Sequence, residues 1–200
     1  MQTLAARSLL RIALIWACNF ELLMSNIREK LVKLLQDAPN SPVIGKLVSE
    51  VEENYPADLD RDSELLYGVW DLRWSSSSQL WLSQAPWLEN LQILDPVRKR
   101  GGNILRLRGP LGATGGVFVQ ADLDVINSTR VEVCFRRGGW IDPRFPGIGQ
   151  VSLLRDVRQI FPAWLDMTVL DLKLRICRGN AGTTFALLRR STRRVEELLV

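Results

Sequence analysis

Apolar positions along the chain follow two different periods. From Ile27 to Val51 they recur at helical spacing; from Leu65 onward they alternate with polar residues. In the first stretch Ile27, Leu31, Leu34 and Leu35 fall on one helical face, while Arg28, Lys30 and Lys33 lie off it. Asn26-Ile27-Arg28-Glu29 reads as a capping box, with Ser25 an alternative cap, and Ala38-Pro39-Asn40 ends the helix. Ser41-Pro42 reads as the cap and first position of a second helix whose stripe is Val43, Ile44, Leu47, Val48 and Val51. Asn54-Tyr55-Pro56 stops it. Together they predict an αα-hairpin of about thirty residues.

The alternating part predicts strands. Trp70, Leu72 and Trp74 alternate with Val69, Asp71 and Arg73. Ile104 to Arg108 is a short strand, with Leu91 to Leu94 a further candidate. Val117 to Val125 and Val131 to Arg136 flank a turn at Asn127-Ser128. Gln150 to Leu154, Leu170 to Cys177 and Thr183 to Leu188 complete the set, the last two as a hairpin around Arg178-Gly179-Asn180-Ala181-Gly182. Seven or eight short strands with Gly-rich turns predict a closed antiparallel barrel or a sandwich. The fold class expected is mainly β with an N-terminal α part: a lipocalin-like antiparallel β-barrel preceded by a helical hairpin.

One face of these strands is assigned to the interior: Trp70, Leu72, Trp74, Leu105, Leu107, Val117, Val119, Ala121, Leu123, Val131, Val133, Phe135, Leu172, Leu174, Ile176, Phe185 and Leu187. None is ionisable. A barrel of about eight strands is either filled by such side chains or holds one small ligand, and an apolar lumen suits a lipid, a quinone or a carotenoid. Trp81, Trp87, Trp140 and Phe145 lie in segments without clean periodicity, where large apolar groups insert at a bilayer interface, gate a barrel mouth or pack over it.

Composition narrows the chemistry. The 200 residues carry no histidine, which removes the commonest general base and the commonest metal ligand. Cys18, Cys134 and Cys177 lack paired or metal-like spacing, and Cys134 and Cys177, in strand-like segments, read as reduced thiols. Ser75 to Ser78 has neither a nucleophile elbow nor a partner base. Gly109 to Gly116 lacks the lysine of a phosphate loop. Neither an enzyme nor a cofactor or metal site is expected. A net charge of +4 permits contact with an anionic lipid surface, through Arg98, Lys99 and Arg100, through Arg136 and Arg137, or through the cluster Arg189, Arg190, Arg193 and Arg194. The strand charges are too mixed for a nucleic-acid face. Asp166 and Asp171 are expected to pair with Arg175 and Arg178 and fix the closing hairpin. No run of apolar residues is long enough to span a bilayer as a helix.

Two motifs carry a family resemblance. Gly68-Val69-Trp70 is the Gly-x-Trp pattern seen at the first strand of lipocalins. Leu66-Tyr67-Gly68-Val69-Trp70-Asp71-Leu72-Arg73-Trp74-Ser75-Ser76 resembles the L-x-G-x-W-x-L-x-Y-[ST]-S opening of the plastid lipid-associated protein family, the fibrillins. Trp164 to Asn180 resembles that family's closing signature W-L-D-T-T-Y-L-D-x-D-L-R-I-S-R-G. Trp74 stands where the family usually has Tyr, Lys173 where an acid is frequent, and Cys177 in place of Ser or Thr. The resemblance covers roughly Asn26 to Arg190. It implies a lipocalin-like barrel at thylakoids or plastid lipid droplets (plastoglobules), or at cyanobacterial thylakoids. It also implies non-catalytic binding or organisation of lipophilic molecules as a peripheral membrane protein. The alternative is a coat or scaffold with a filled barrel that docks on lipid surfaces or partner proteins.

The expected organisation is an extension over 1–23, a helical hairpin over 24–56, the barrel domain over 57–190 and a tail over 191–200. Arg7 and Arg11 followed by apolar Ile12 to Cys18 read either as a targeting or membrane-associating segment or as residues upstream of a true start at Met24.

Overall fold

A computed structural model describes residues 26–77, 79, 82, 87–107, 116–141, 152–157, 159, 163–190, 195, 198 and 199. The extension, Trp81, Phe145, Arg193 and Arg194 lie outside the described residues.

Residues 26–37 are helical (α1), followed by α2 (Ile44–Asn54) and a short α3 (Leu59–Asp62) that runs into a 3-10 turn (Ser63–Leu66). Residue 26 is already helical, so the expected cap falls at or before the edge of the described residues. Ser41 does not cap α2. The helix starts after Val43 with no side-chain cap, and Ser41-Pro42 instead forms the turn whose Ser41 carbonyl accepts the Ile44 N–H at 3.2 Å.

Nine strands follow among the described residues: β1 (Gly68–Ser75), β2 (Leu88–Asp95), β3 (Arg100–Leu107), β4 (Gly116–Val125), β5 (Arg130–Ile141), β6 (Ser152–Asp156), β7 (Ala163–Leu170), β8 (Leu174–Gly179) and β9 (Thr184–Arg190). They pair in the order β4-β3-β2-β1-β9-β8-β7-β5-β6, and β4 also pairs with β5. That last pairing closes a barrel-like antiparallel ring of all strands but β6, which extends the far half of β5. A closed ring leaves no strand edge open within it.

The ring is covered on two outer faces, and a third cluster packs part of its interior. Leu31, Leu35, Ile44, Leu47, Val48 and Val51 of the helices pack on Val169, Leu174, Ile176, Ala186 and Leu188, the outer face of β7, β8 and β9. Val195, Leu198 and Leu199 pack with Val69, Leu91, Ile93, Ile104 and Phe118, the outer face of β1 to β4. Gly102 makes room here: a Cβ would stand 2.5 Å from the Phe118 ring. The inner cluster holds Leu59, Leu66, Trp70, Leu72, Leu94, Leu123, Val131, Met167, Leu170, Cys177 and Leu187. Strands apolar on both faces blur the alternation that assigns inside from outside.

Four residues expected inside therefore lie elsewhere. The run Leu170 to Cys177 is not one strand. Asp171 accepts the N–H groups of Lys173 and Leu174 at 2.7 and 2.9 Å, an Asx-type turn that ends β7 and starts β8. Leu172 sits at its tip, 70% exposed. Beyond the turn Leu174 and Ile176 point outward under the helices. Trp74 leaves the interior because a bulge between Leu72 and Trp74 in the β1–β9 ladder inserts one residue and flips the parity. It packs against the helices beside Gly45.

An ionic ladder ties the outer surface near α1. Glu89 accepts from Arg106 and Arg190, Arg190 reaches Asp71 at 3.6 Å, and Arg73 lies 3.9 Å from Asp71. Arg73 also donates to the Leu35 and Gln36 carbonyls at 2.8 and 3.1 Å, satisfying the end of α1. Burial resists ionisation of Glu89, but the two guanidiniums outweigh it and hold its carboxyl below the ordinary range.

Candidate functional site

One end of the ring is built shut. Trp70 is fully buried there and donates from Nε1 to the Leu66 carbonyl at 2.9 Å. Arg189 lies over the indole, 4.3 Å from its centroid. The same guanidinium donates to the Leu65 and Tyr67 carbonyls and, at 2.9 Å, to Leu172. A single cation thus ties the 3-10 turn, the β7–β8 turn and the Trp70 ring together. Gly68, at φ 146°, passes so close that a Cβ would stand 2.6 Å from Arg189 Nη1. The glycine and the tryptophan of the Gly-x-Trp pattern serve one contact.

Above this floor lies a cavity of about 350 Å³. Leu94, Val119, Ala121, Leu123, Val133, Phe135, Ala163, Leu165 and Phe185 supply its apolar walls. Gln92 and Asn103, neighbours in the β2–β3 register, supply polar groups, and Gln79, Asn180 and Thr183 stand among the lining from residues outside the strands. No ionisable side chain belongs to the lining among the described residues.

The opposite end is apolar and exposed. Leu88 pairs with Leu107, Leu105 with Val117, Val117 with Trp140, and Trp140 with Leu153. Leu107, Val117, Trp140 and Leu153, with Trp87 next to Leu88, are each 45–69% exposed. They form one band across the ends of β2 to β6.

The residues expected inside now sort by height. Val119, Leu123, Val133, Phe135 and Phe185 line the cavity. Trp70, Leu72, Val131 and Leu187 belong to the packed interior. Leu105, Leu107 and Val117 continue the same rows to the open end. Of the four loop aromatics expected at a membrane or portal, Trp87 and Trp140 are described and exposed, and Trp140 lies in β5 rather than in a loop. Gln92, Asn103, Leu94 and Leu165 were missed. Leu91 to Leu94 reads as a minor strand because its apolar partners Leu91 and Ile93 face outward, leaving amides on the inner face.

The charged groups also pair differently from expectation. Asp166 takes a fork from Arg130 at 2.6 and 2.8 Å, and Arg130 stacks on Trp164 at 5.1 Å. Asp171 takes a fork from Arg28 of α1, 2.7 Å on both arms. Arg178 pairs with Glu52 of α2. Arg175 points inward: it is wholly buried, 5.0 Å from the Trp70 centroid, and donates from Nη2 to Gln92. The interior is therefore not free of ionisable groups. Burial pulls the Arg175 guanidinium down to about 10, with the like charge of Arg189 in the same direction. Of the surface cations, Arg98 pairs with Asp95, Lys99 with Asp124, Arg136 with Asp122, and Arg190 with Glu89.

The family model PAP_fibrillin matches residues 23–188, most of the chain and both motifs. The chain belongs to the PAP_fibrillin family. No curated protein and no solved structure matches it. Proteins of the PAP_fibrillin family are lipid-associated, found with plastids and thylakoids, and generally structural rather than enzymatic. The matched span takes in α1, α2 and the ring to Leu188 of β9, so the PAP_fibrillin unit includes the helices that clamp β7 to β9. Among the described residues of this PAP_fibrillin chain no helix is long and apolar enough to cross a membrane, and Cys134 and Cys177 are free thiols.

Proposed function

We propose that this protein holds a single lipophilic molecule inside its ring and works at the surface of a photosynthetic membrane, without catalysing a reaction on its cargo. The observation that carries the reading is the cavity of about 350 Å³: apolar walls, a few amides, and a floor closed by Trp70. That volume falls near the low end of the roughly 300–1,000 Å³ range of small-molecule sites. Each methylene buried there contributes about 0.8 kcal/mol. A lipid chain or a quinone suits these apolar walls and few amides. The exposed band of Trp87, Leu107, Val117, Trp140 and Leu153 would lie on lipid, so that cargo passes between bilayer and cavity without crossing water.

The coat or scaffold reading shares the exposed band but needs a filled interior, and the cavity favours the carrier. Solvent extraction of the purified protein followed by mass spectrometry tests the choice. A stoichiometric lipophile, or uptake of a quinone by the stripped protein, is expected. A lipid-free preparation that takes up neither lipid nor quinone would sink the carrier reading and leave the scaffold.

A further inference from the structure

Arg175 is anomalous for a structural arginine. Its Nε and Nη1 have no hydrogen-bond partner, although the side chain is wholly buried. Nη2 alone is used, on the Gln92 side-chain oxygen. The like charge of Arg189, over the same Trp70 ring, bears on it. No carboxylate pairs with it among the described residues. Arg189 uses its donors on three carbonyls of the floor; Arg175 has no such structural task. A buried cation with idle donors is costly to keep unless something anionic reaches it.

Gln92 shows where that something would come from. Its side chain lines the cavity, and its oxygen occupies one arm of the guanidinium fork. A carboxylate has the planar, two-oxygen shape that such a fork takes bidentately, and it carries the charge that the amide lacks.

We propose that Arg175 is an anion receptor directly behind the Gln92 side chain of the cavity wall, and that the cargo is a single-chain amphiphile with a carboxylate head. The head displaces the Gln92 amide and takes two guanidinium N–H groups, while the apolar chain runs along Val119, Val133 and Phe185 towards the exposed end. A neutral quinone would satisfy donors but leave the charge uncompensated, so the site ranks it lower. This rests on the carrier reading and narrows it to one ligand class.

Hexadecanoate and its methyl ester, titrated into the delipidated full-length protein by calorimetry, separate the two ideas. The acid should bind at least tenfold tighter than the ester. In Gln92→Glu, which supplies an internal carboxylate to Arg175, and in Arg175→Met, the acid-to-ester ratio should fall by tenfold or more. Near-UV circular dichroism establishes that each variant is folded, and the wild-type comparison stands without either. Equal affinity for acid and ester overturns the receptor while the carrier survives. A preference for the acid that persists in both folded variants also overturns it. Failure of both probes to bind overturns the receptor, and the carrier reading falls with it only if a quinone is not taken up either.

Discussion

Removing the charge of Asp171 should loosen α1 from the ring without opening the cavity floor. Its carboxylate takes both arms of Arg28 at 2.7 Å and two turn N–H groups at 2.7 and 2.9 Å. The pair is about a quarter exposed, 22% for Arg28 and 31% for Asp171, which discounts the Coulomb gain. Exposed ion pairs contribute about 0–1 kcal/mol, and a bidentate, half-buried fork belongs at the top of that range. Hydrogen bonds to a charged group add roughly 1.5–3 kcal/mol gross of what replaces them. Asp171→Ala, which loses the fork and the turn, should cost about 2–3 kcal/mol; Asp171→Asn, which keeps an acceptor for the turn, about 1–2 kcal/mol. A cycle of Arg28→Ala and Asp171→Asn in urea denaturation should give a coupling of about 1 kcal/mol at pH 7. Burial works against the carboxylate, but the Arg28 fork and the turn N–H groups outweigh it and depress its pKa. A depressed folded pKa contributes stability that is present above the unfolded value, about 3.9, and lost as pH falls through the folded one. The coupling should hold from pH 7 to pH 5 and fade only below about 4. Additivity within about 0.3 kcal/mol at pH 7 would refute the reasoning, as would a coupling that shrinks between pH 7 and 5.

Gly68→Ala should lower stability by about 2–3 kcal/mol, from an unfavourable φ and a Cβ 2.6 Å from Arg189 Nη1; thermal unfolding measures it, and a loss under 0.5 kcal/mol would contradict the floor contact. Ala121→Phe places a ring in the cavity and should weaken lipophile uptake at least tenfold at a stability change of about 1–3 kcal/mol, read by ligand titration beside a melting curve. Trp87→Ser with Trp140→Ser should reduce flotation with anionic vesicles several-fold while leaving uptake from detergent intact; unchanged flotation would remove the exposed band from membrane contact.

The ring was legible because β4 and β5 alternate over most of their length and the turns that lead into β5 and β9 carry Asn, Ser and Gly. The floor was half legible: Gly68 and Trp70 stood out, whereas Arg189 looked like one more residue of a basic tail. The site faltered where helices cover a strand from outside. Leu174 and Ile176 are apolar for the sake of Leu31 and Val48, and only the contact across sequence reveals it. Arg175 lies on the face that alternation assigns to solvent, so the most consequential interior residue was hidden by the rule that identified the others. Trp74 was lost to one bulge, which leaves no mark in a sequence.

The pairing of β1 with β9 sets an order on biosynthesis. Val69 waits for Arg190, so the ring keeps an open seam until nearly all of the domain has left the ribosome. During that wait β1 and β8 present unpaired backbone along apolar faces, the kind of edge that recruits other chains. The seam and the floor also share a residue, since Arg189 of β9 pairs with Trp70 and braces its ring. A chain stopped short of β9 loses closure and floor together, so there is no half-built form with a usable cavity.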